Sequence, residues 1–83
     1  MIATEVKTRI KEIVFEATNV KPEEIADTTA FVGDLGFDSL TMLEIAVNID
    51  QEYGLDLTED EMTMITSVNA AINLIMDRNA VTA

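Results

Sequence analysis

The chain contains no cysteine, no histidine and no tryptophan, and only one proline and three glycines. Without cysteine there is no disulfide framework, no thiolate nucleophile and no Cys-based metal site. Without histidine the commonest general base and metal ligand is missing as well. Metalloenzyme and cysteine-protease chemistry therefore fall away, and no metal site is expected. The scarcity of glycine and proline argues against turn-rich β structure and for helices. No apolar run approaches the roughly 20 residues that cross a bilayer, and "MIATEVKTRIKEIVFE" lacks the unbroken apolar stretch of a secretory signal. A soluble, cytoplasmic chain without membrane contact is expected. Bases are scarce too: Lys7, Arg9, Lys11 and Lys21 lie in the first quarter, and Arg78 is the fifth. Of the sixteen carboxylates, all but Glu5, Glu12 and Glu16 fall between Lys21 and Arg78, and the net charge is −11. Such a field repels nucleic acid and attracts basic protein surfaces. Solubility alone would also account for a surplus of acid.

What is present suffices for one small core. The 83 residues are 48% apolar, and a chain of this size supports a single domain, taken as residues 1–83. Ile2, Val6, Ile10, Ile13, Val14 and Ala17 recur at steps of three and four, which predicts an amphipathic helix from about Thr4, a possible cap, to Thr18. Pro22 limits any continuation. Residues 19–38 show no sustained helical period beyond a turn at "KPEEI", a long connection for so small a domain. Val20, Ile25, Phe31, Val32, Leu35 and Phe37 give it the means to be pinned across the core, and Gly33 and Gly36 allow bends. A second helix is predicted from Ser39 to about Tyr53, closed by Gly54. It is apolar over most of its girth, with Thr41, Glu44, Asn48, Gln51 and Glu52 on a narrow polar face. Thr58 and Glu61 have the spacing of a capping box for a short third helix. A last helix is expected from about Ser67 to Arg78, with Val68, Ala71, Ile72, Ile75 and Met76 on one face. The fold class is all-α: a small four-helix bundle, three helices longer and one short, with a long loop after the first.

One stretch, "GDLGFDSLT", sets Ser39 between an aspartate and a leucine at the predicted start of the second helix. The simplest reading is structural, since Asp38 or Ser39 would cap that helix. A serine-hydrolase reading, of the GDSL-esterase kind, fails on chemistry: a serine nucleophile needs a base within hydrogen-bond reach and donors for an oxyanion, and there is no histidine. A third reading makes Ser39 a site modified by another enzyme.

The residues around it carry a resemblance. "FVGDLGFDSL" before the helix, "DSLTMLEI" within it, "DLTEDE" after it and "ITSVNAAINLI" near the end resemble the acyl carrier protein family over nearly the whole chain. The resemblance implies a non-enzymatic carrier whose Ser39 bears 4′-phosphopantetheine from coenzyme A, the group's thiol holding acyl intermediates as thioesters. It implies that Asp38 assists the modifying phosphopantetheinyl transferase and its metal ion, and that Leu40 anchors the helix start. Thr41, Met42, Leu43, Glu44, Val47, Asp50 and Gln51 would form the face read by acyltransferases, ketosynthases and other acyl-processing enzymes through basic patches. A monomer is implied.

The match departs from the fatty-acid pattern where an acid commonly follows the Asp-Ser-Leu. Here Thr41 stands in that place, and Asn48 and Gln51 thin the acidic run, so recognition leans on Met42, Leu43 and Val47. "GFDSLT" also resembles polyketide carrier domains. The reading from another class is an acidic helical adaptor that binds a basic partner without a prosthetic group, Ser39 being only a cap. Met42, Met62, Met64 and Met76 are expected in the core or along a groove. Glu59, Asp60 and Glu61 are expected to complement a helix dipole.

Overall fold

The computed structural model describes residues 3–82, and the side chains of residues 4–78. Four helices follow one another: α1 (Ala3–Thr18), α2 (Ser39–Tyr53), α3 (Glu59–Thr63) and α4 (Val68–Thr82), with a single 3₁₀ turn at Pro22–Glu24 in the first connection. The all-α bundle of three longer helices and one short one is as the periodicity predicts. Three helix ends differ. α4 runs on to Thr82 instead of ending near Arg78. Thr4 lies inside α1 rather than before it, and Ser67 stands before α4 as its cap, its Oγ accepting from the Ala70 amide at 3.2 Å. Ile2, counted in the α1 stripe, lies outside the described residues.

Each long helix turns its apolar positions inward. Val6, Ile10, Ile13 and Val14 of α1 meet Ile45, Ala46 and Ile49 of α2 and Val68, Ala71, Leu74 and Ile75 of α4 in one buried cluster, which holds no polar or charged residue among those described. α2 also leaves apolar side chains in solvent, and a helix apolar over most of its girth must do so when only one face is covered. Its C-terminus is closed by Gly54 in the left-handed region (φ 59°), whose amide donates to the Asp50 carbonyl. Only glycine takes that conformation without a Cβ penalty.

The long first connection is ordered because it is tied at several points. Ile25 and Phe31 are fully buried. The Phe31 amide donates to the Thr66 carbonyl at 2.9 Å, and the Asn69 amide to the Asp27 carbonyl at 3.0 Å, joining the loop to the start of α4. Lys7 and Lys11 of α1 reach the Asp27 carboxylate at 2.8 and 3.2 Å. The last turn before Ser39 wraps Phe31. The Phe37 amide donates to the Phe31 carbonyl at 3.1 Å, the two rings lie 5.9 Å apart, and the Asp34 carboxylate accepts from the Ala30 amide at 2.8 Å. Two expectations for this loop need correction. Val32 is 58% exposed rather than pinned in the core. Of the two glycines, Gly36 alone takes a positive φ (71°), and a Cβ on Gly33 would meet only an ordinary contact with Ala30.

Candidate functional site

Asp38 and Ser39 both suit a helix start, and the structure divides the work between them. Asp38 is the N-cap: it is extended (φ −86°, ψ 175°), and its Oδ1 accepts the Thr41 amide at 2.8 Å. That amide, and to a lesser degree the Thr41 side chain, holds the Asp38 carboxyl below the usual range, so it stays ionised at neutral pH. Ser39 is the first helical residue, exposed, with no hydrogen bond from its Oγ to any described residue. The cap therefore does not explain the serine. Its hydroxyl sits where the free first-turn amides and the positive end of the α2 dipole favour an added anion.

Beside that hydroxyl runs an open groove of about 710 Å³ between the start of α2 and α3. Val32, Phe37, Met42, Leu43 and Met62 supply its apolar walls, with Glu59, Thr63 and Thr66 along the far side. Met42 and Met62 are half-buried against the core, as expected of groove-lining methionines, whereas Met64 stands 59% exposed. A shallower depression of about 440 Å³ continues along α2 between Leu40, Thr41, Leu43, Glu44, Val47 and Asn48. No lysine or arginine lines either hollow.

The residues singled out from the sequence do not all converge. Asp38, Ser39, Met42 and Leu43 meet at the groove; Leu40, Thr41, Glu44 and Val47 border the depression; Gln51 is exposed one turn on. Leu40 is 76% exposed, so it does not anchor the helix start, which the Asp38 cap and Met42 hold instead. Asp50 is half-buried and accepts the Leu57 amide at 3.2 Å, which gives it a structural task in the α2–α3 connection. Phe37, Thr63 and Thr66 were not foreseen as groove residues. Their places depend on how the loop and α3 pack, for which a single sequence carries no signal.

Charge is distributed unevenly around this site. Arg9 of α1 reaches Glu52 at 2.9 Å, Glu16 at 3.2 Å and Glu12 at 3.8 Å, and Arg78 of α4 pairs with Glu61 of α3. Arg9 lowers the Glu52 carboxyl, Arg78 lowers that of Glu61, and Lys7 foremost lowers that of Asp27. Four of the five bases are thus engaged inside the fold, away from the α2 face. Among the described residues no helix is long and apolar enough to cross a membrane.

The described residues thus set an exposed serine at a helix start beside an apolar groove. Comparisons with known proteins give this arrangement a family. A family model described as "Phosphopantetheine attachment site" matches residues 8–75. Proteins named acyl carrier protein from Buchnera aphidicola subsp. Acyrthosiphon pisum, strains 5A and Tuc7, are each 32% identical over 74 residues, covering 89% of this chain and 92% of theirs. The chain belongs to the acyl carrier protein family: it is a carrier, not an enzyme, and its cofactor is covalently attached 4′-phosphopantetheine. Acyl-processing enzymes and a phosphopantetheinyl transferase are the partners that membership implies. The residues at the start of α2 fit such a group, since they offer an unengaged hydroxyl, an anion-favouring helix end and an apolar wall for an arm to lie against.

Proposed function

We propose that Ser39 Oγ is the attachment point and that residues 1–83 act as one monomeric carrier domain in the cytoplasm. The observation that carries this is the division of roles at the start of α2: Asp38 does the capping, which leaves Ser39 exposed and unengaged. When attached, the group supplies a thiol that holds acyl chains as thioesters. The chain does the rest. The first turn of α2 stabilises the phosphodiester charge in a molecule that is otherwise strongly acidic. The transferase brings the base that this histidine-free chain lacks, with ionised Asp38 beside Ser39 to engage its metal ion.

The exposed Leu40 and Leu43 with half-buried Val47, edged by Thr41, Glu44 and Gln51, form the surface offered to acyltransferases, ketosynthases and related enzymes. Met42 serves that face from the groove side. Asp50, tied to Leu57, contributes to the local potential more than by contact. Because uncharged residues interrupt the acid, partners should read an apolar anchor within a negative field. The field then sets encounter rate and orientation, and salt should slow association. The same surface suits a fatty-acid or a polyketide pathway.

Ser39→Ala and Ser39→Thr test the assignment against an adaptor role. With the cap resting on Asp38, both variants should melt within about 0.5 kcal/mol of the parent, as surface changes do. Incubated with a broad-specificity phosphopantetheinyl transferase and a fluorescent coenzyme A analogue, the parent should take label and Ser39→Ala should take none. An adaptor would bind its partner equally well in all three forms, and label persisting on Ser39→Ala would refute the attachment point.

A further inference from the structure

The short helix α3 forms one wall of the groove beside Ser39, through Glu59, Met62 and Thr63, yet none of its own residues is buried. Its neighbours Leu57 and Ile65 are buried and fix the segment at both ends. Between those anchors Met62 is half-buried against the core, and Glu61 makes several polar contacts. The Glu61 amide donates to Thr58 Oγ1 at 3.2 Å, and its Oε1 accepts the Thr58 amide at 3.0 Å, completing a capping box. The same Oε1 also accepts Arg78 Nη2 from α4, and Arg78 Nη1 donates to the Leu55 carbonyl at 3.5 Å. One arginine on α4 thereby grips both flanks of the α2–α3 connection.

We propose that Glu61 and Arg78 form a latch that keeps α3 closed against the bundle and so sets the width of the groove next to Ser39. The setting favours such a device. α3 packs on α2, and the Glu61–Arg78 pair ties it to α4. The pair is only partly buried, so it is strong enough to bias the segment and weak enough to open without unfolding the core. Asp56 and Asp77 also lie within the field of Arg78, and losing the base would leave like charges along both sides of the seam. With α3 released, Met62 would swing from the groove wall and uncover its apolar floor. The significance for cargo rests on the carrier reading above, whereas the latch itself is a property of the unmodified chain.

Amide hydrogen exchange on unmodified protein tests it with Glu61→Gln, Arg78→Gln and the double variant. Glutamine at position 61 keeps an oxygen for the Thr58 amide, so the capping box survives while the ion pair is lost. Amides of residues 58–65 should exchange about 1.5- to fivefold faster in each single variant, the range of a modest, partly exposed pair. The double variant should be no faster than Arg78→Gln alone, and amides of Ile10, Ile13 and Val14 in α1 should be unchanged. A neutral apolar dye, Nile red, should bind the variants more strongly than the parent. Unchanged exchange at residues 58–65, additive effects, rates rising equally in α1, or dye binding no stronger than in the parent would each overturn the latch. Failure of Ser39 to take label would overturn the attachment point and leave these exchange rates as they are.

Discussion

On the α1 side of the bundle, charges hold parts together: Asp27 lies between Lys7 and Lys11, and Arg9 reaches from α1 to Glu52 at the end of α2. Along the exposed face of α2 and the rim of the groove, Asp38, Glu44 and Glu59 have no base among the lining residues. Hydrophobic side chains show the same contrast. Phe31 disappears wholly into the core behind the loop, while Leu40 and Leu43 are left 76% and 50% exposed. One half of the molecule spends its charged and apolar groups on the fold. The other keeps them in solvent around Ser39, where a partner can meet them. With a net charge of −11 the chain has only five bases, and three of them, Lys7, Arg9 and Lys11, go to the structural half.

The largest effect expected from breaking this contrast is in the core. Phe31→Ala removes a fully buried ring that fixes both the long loop and Phe37, and should cost about 3–5 kcal/mol in urea unfolding. That is a large share of what a small domain has. Leu43→Ala, on the exposed face, should cost under about 1 kcal/mol while weakening association with acyl-processing enzymes. Equal losses of stability from the two would erase the distinction.

A smaller but more pointed effect concerns charge. Neutralising an acid on the structural side, as in Asp27→Asn or Glu52→Gln, should lower the melting temperature, because each loses a base that it needs. Neutralising Glu44 on the α2 face, as in Glu44→Gln, should raise it by relieving self-repulsion, and added salt should raise the parent's melting temperature for the same reason. The pH dependence has a definite sign. Folding lowers the Asp27 and Glu52 carboxyls from ordinary values of 3.8 and 4.5. Their stabilisation is thus fully present above those values and fades as pH falls below them. The gap between the parent and Asp27→Asn should be widest above about pH 4.5 and close on acidification. Opposite shifts from Asp27→Asn and Glu44→Gln would sharpen the comparison, and shifts of the same sign would break it.

Much of this was legible in the sequence because helical periodicity is written locally. The stripe of α1, the limits of α2, Gly54 as its stop and the Thr58–Glu61 capping box all follow from spacing and residue type. What was hidden depends on tertiary partners. Apolar character alone does not tell which way Val32 or Leu40 faces. Asp38 and Ser39 are equally good caps on paper, and only the backbone around them decides that Asp38 accepts the Thr41 amide. Asp50 reads as a surface acid until the Leu57 amide is found against it. The order of the long loop rests on backbone bonds from Phe31 to Thr66 and from Asn69 to Asp27, which no local pattern announces. Thr41 gains a role of its own here: by donating to Asp38 it helps keep that carboxyl ionised next to Ser39.

The most direct test of Ser39 as the attachment point is intact-mass spectrometry, with fragmentation to locate any added group, after incubation of the unmodified chain with coenzyme A, magnesium and a phosphopantetheinyl transferase. One phosphopantetheine per chain, carried on Ser39 and absent from Ser39→Ala, is the predicted result. No added mass on the folded parent, or a group located at any other residue, would contradict it.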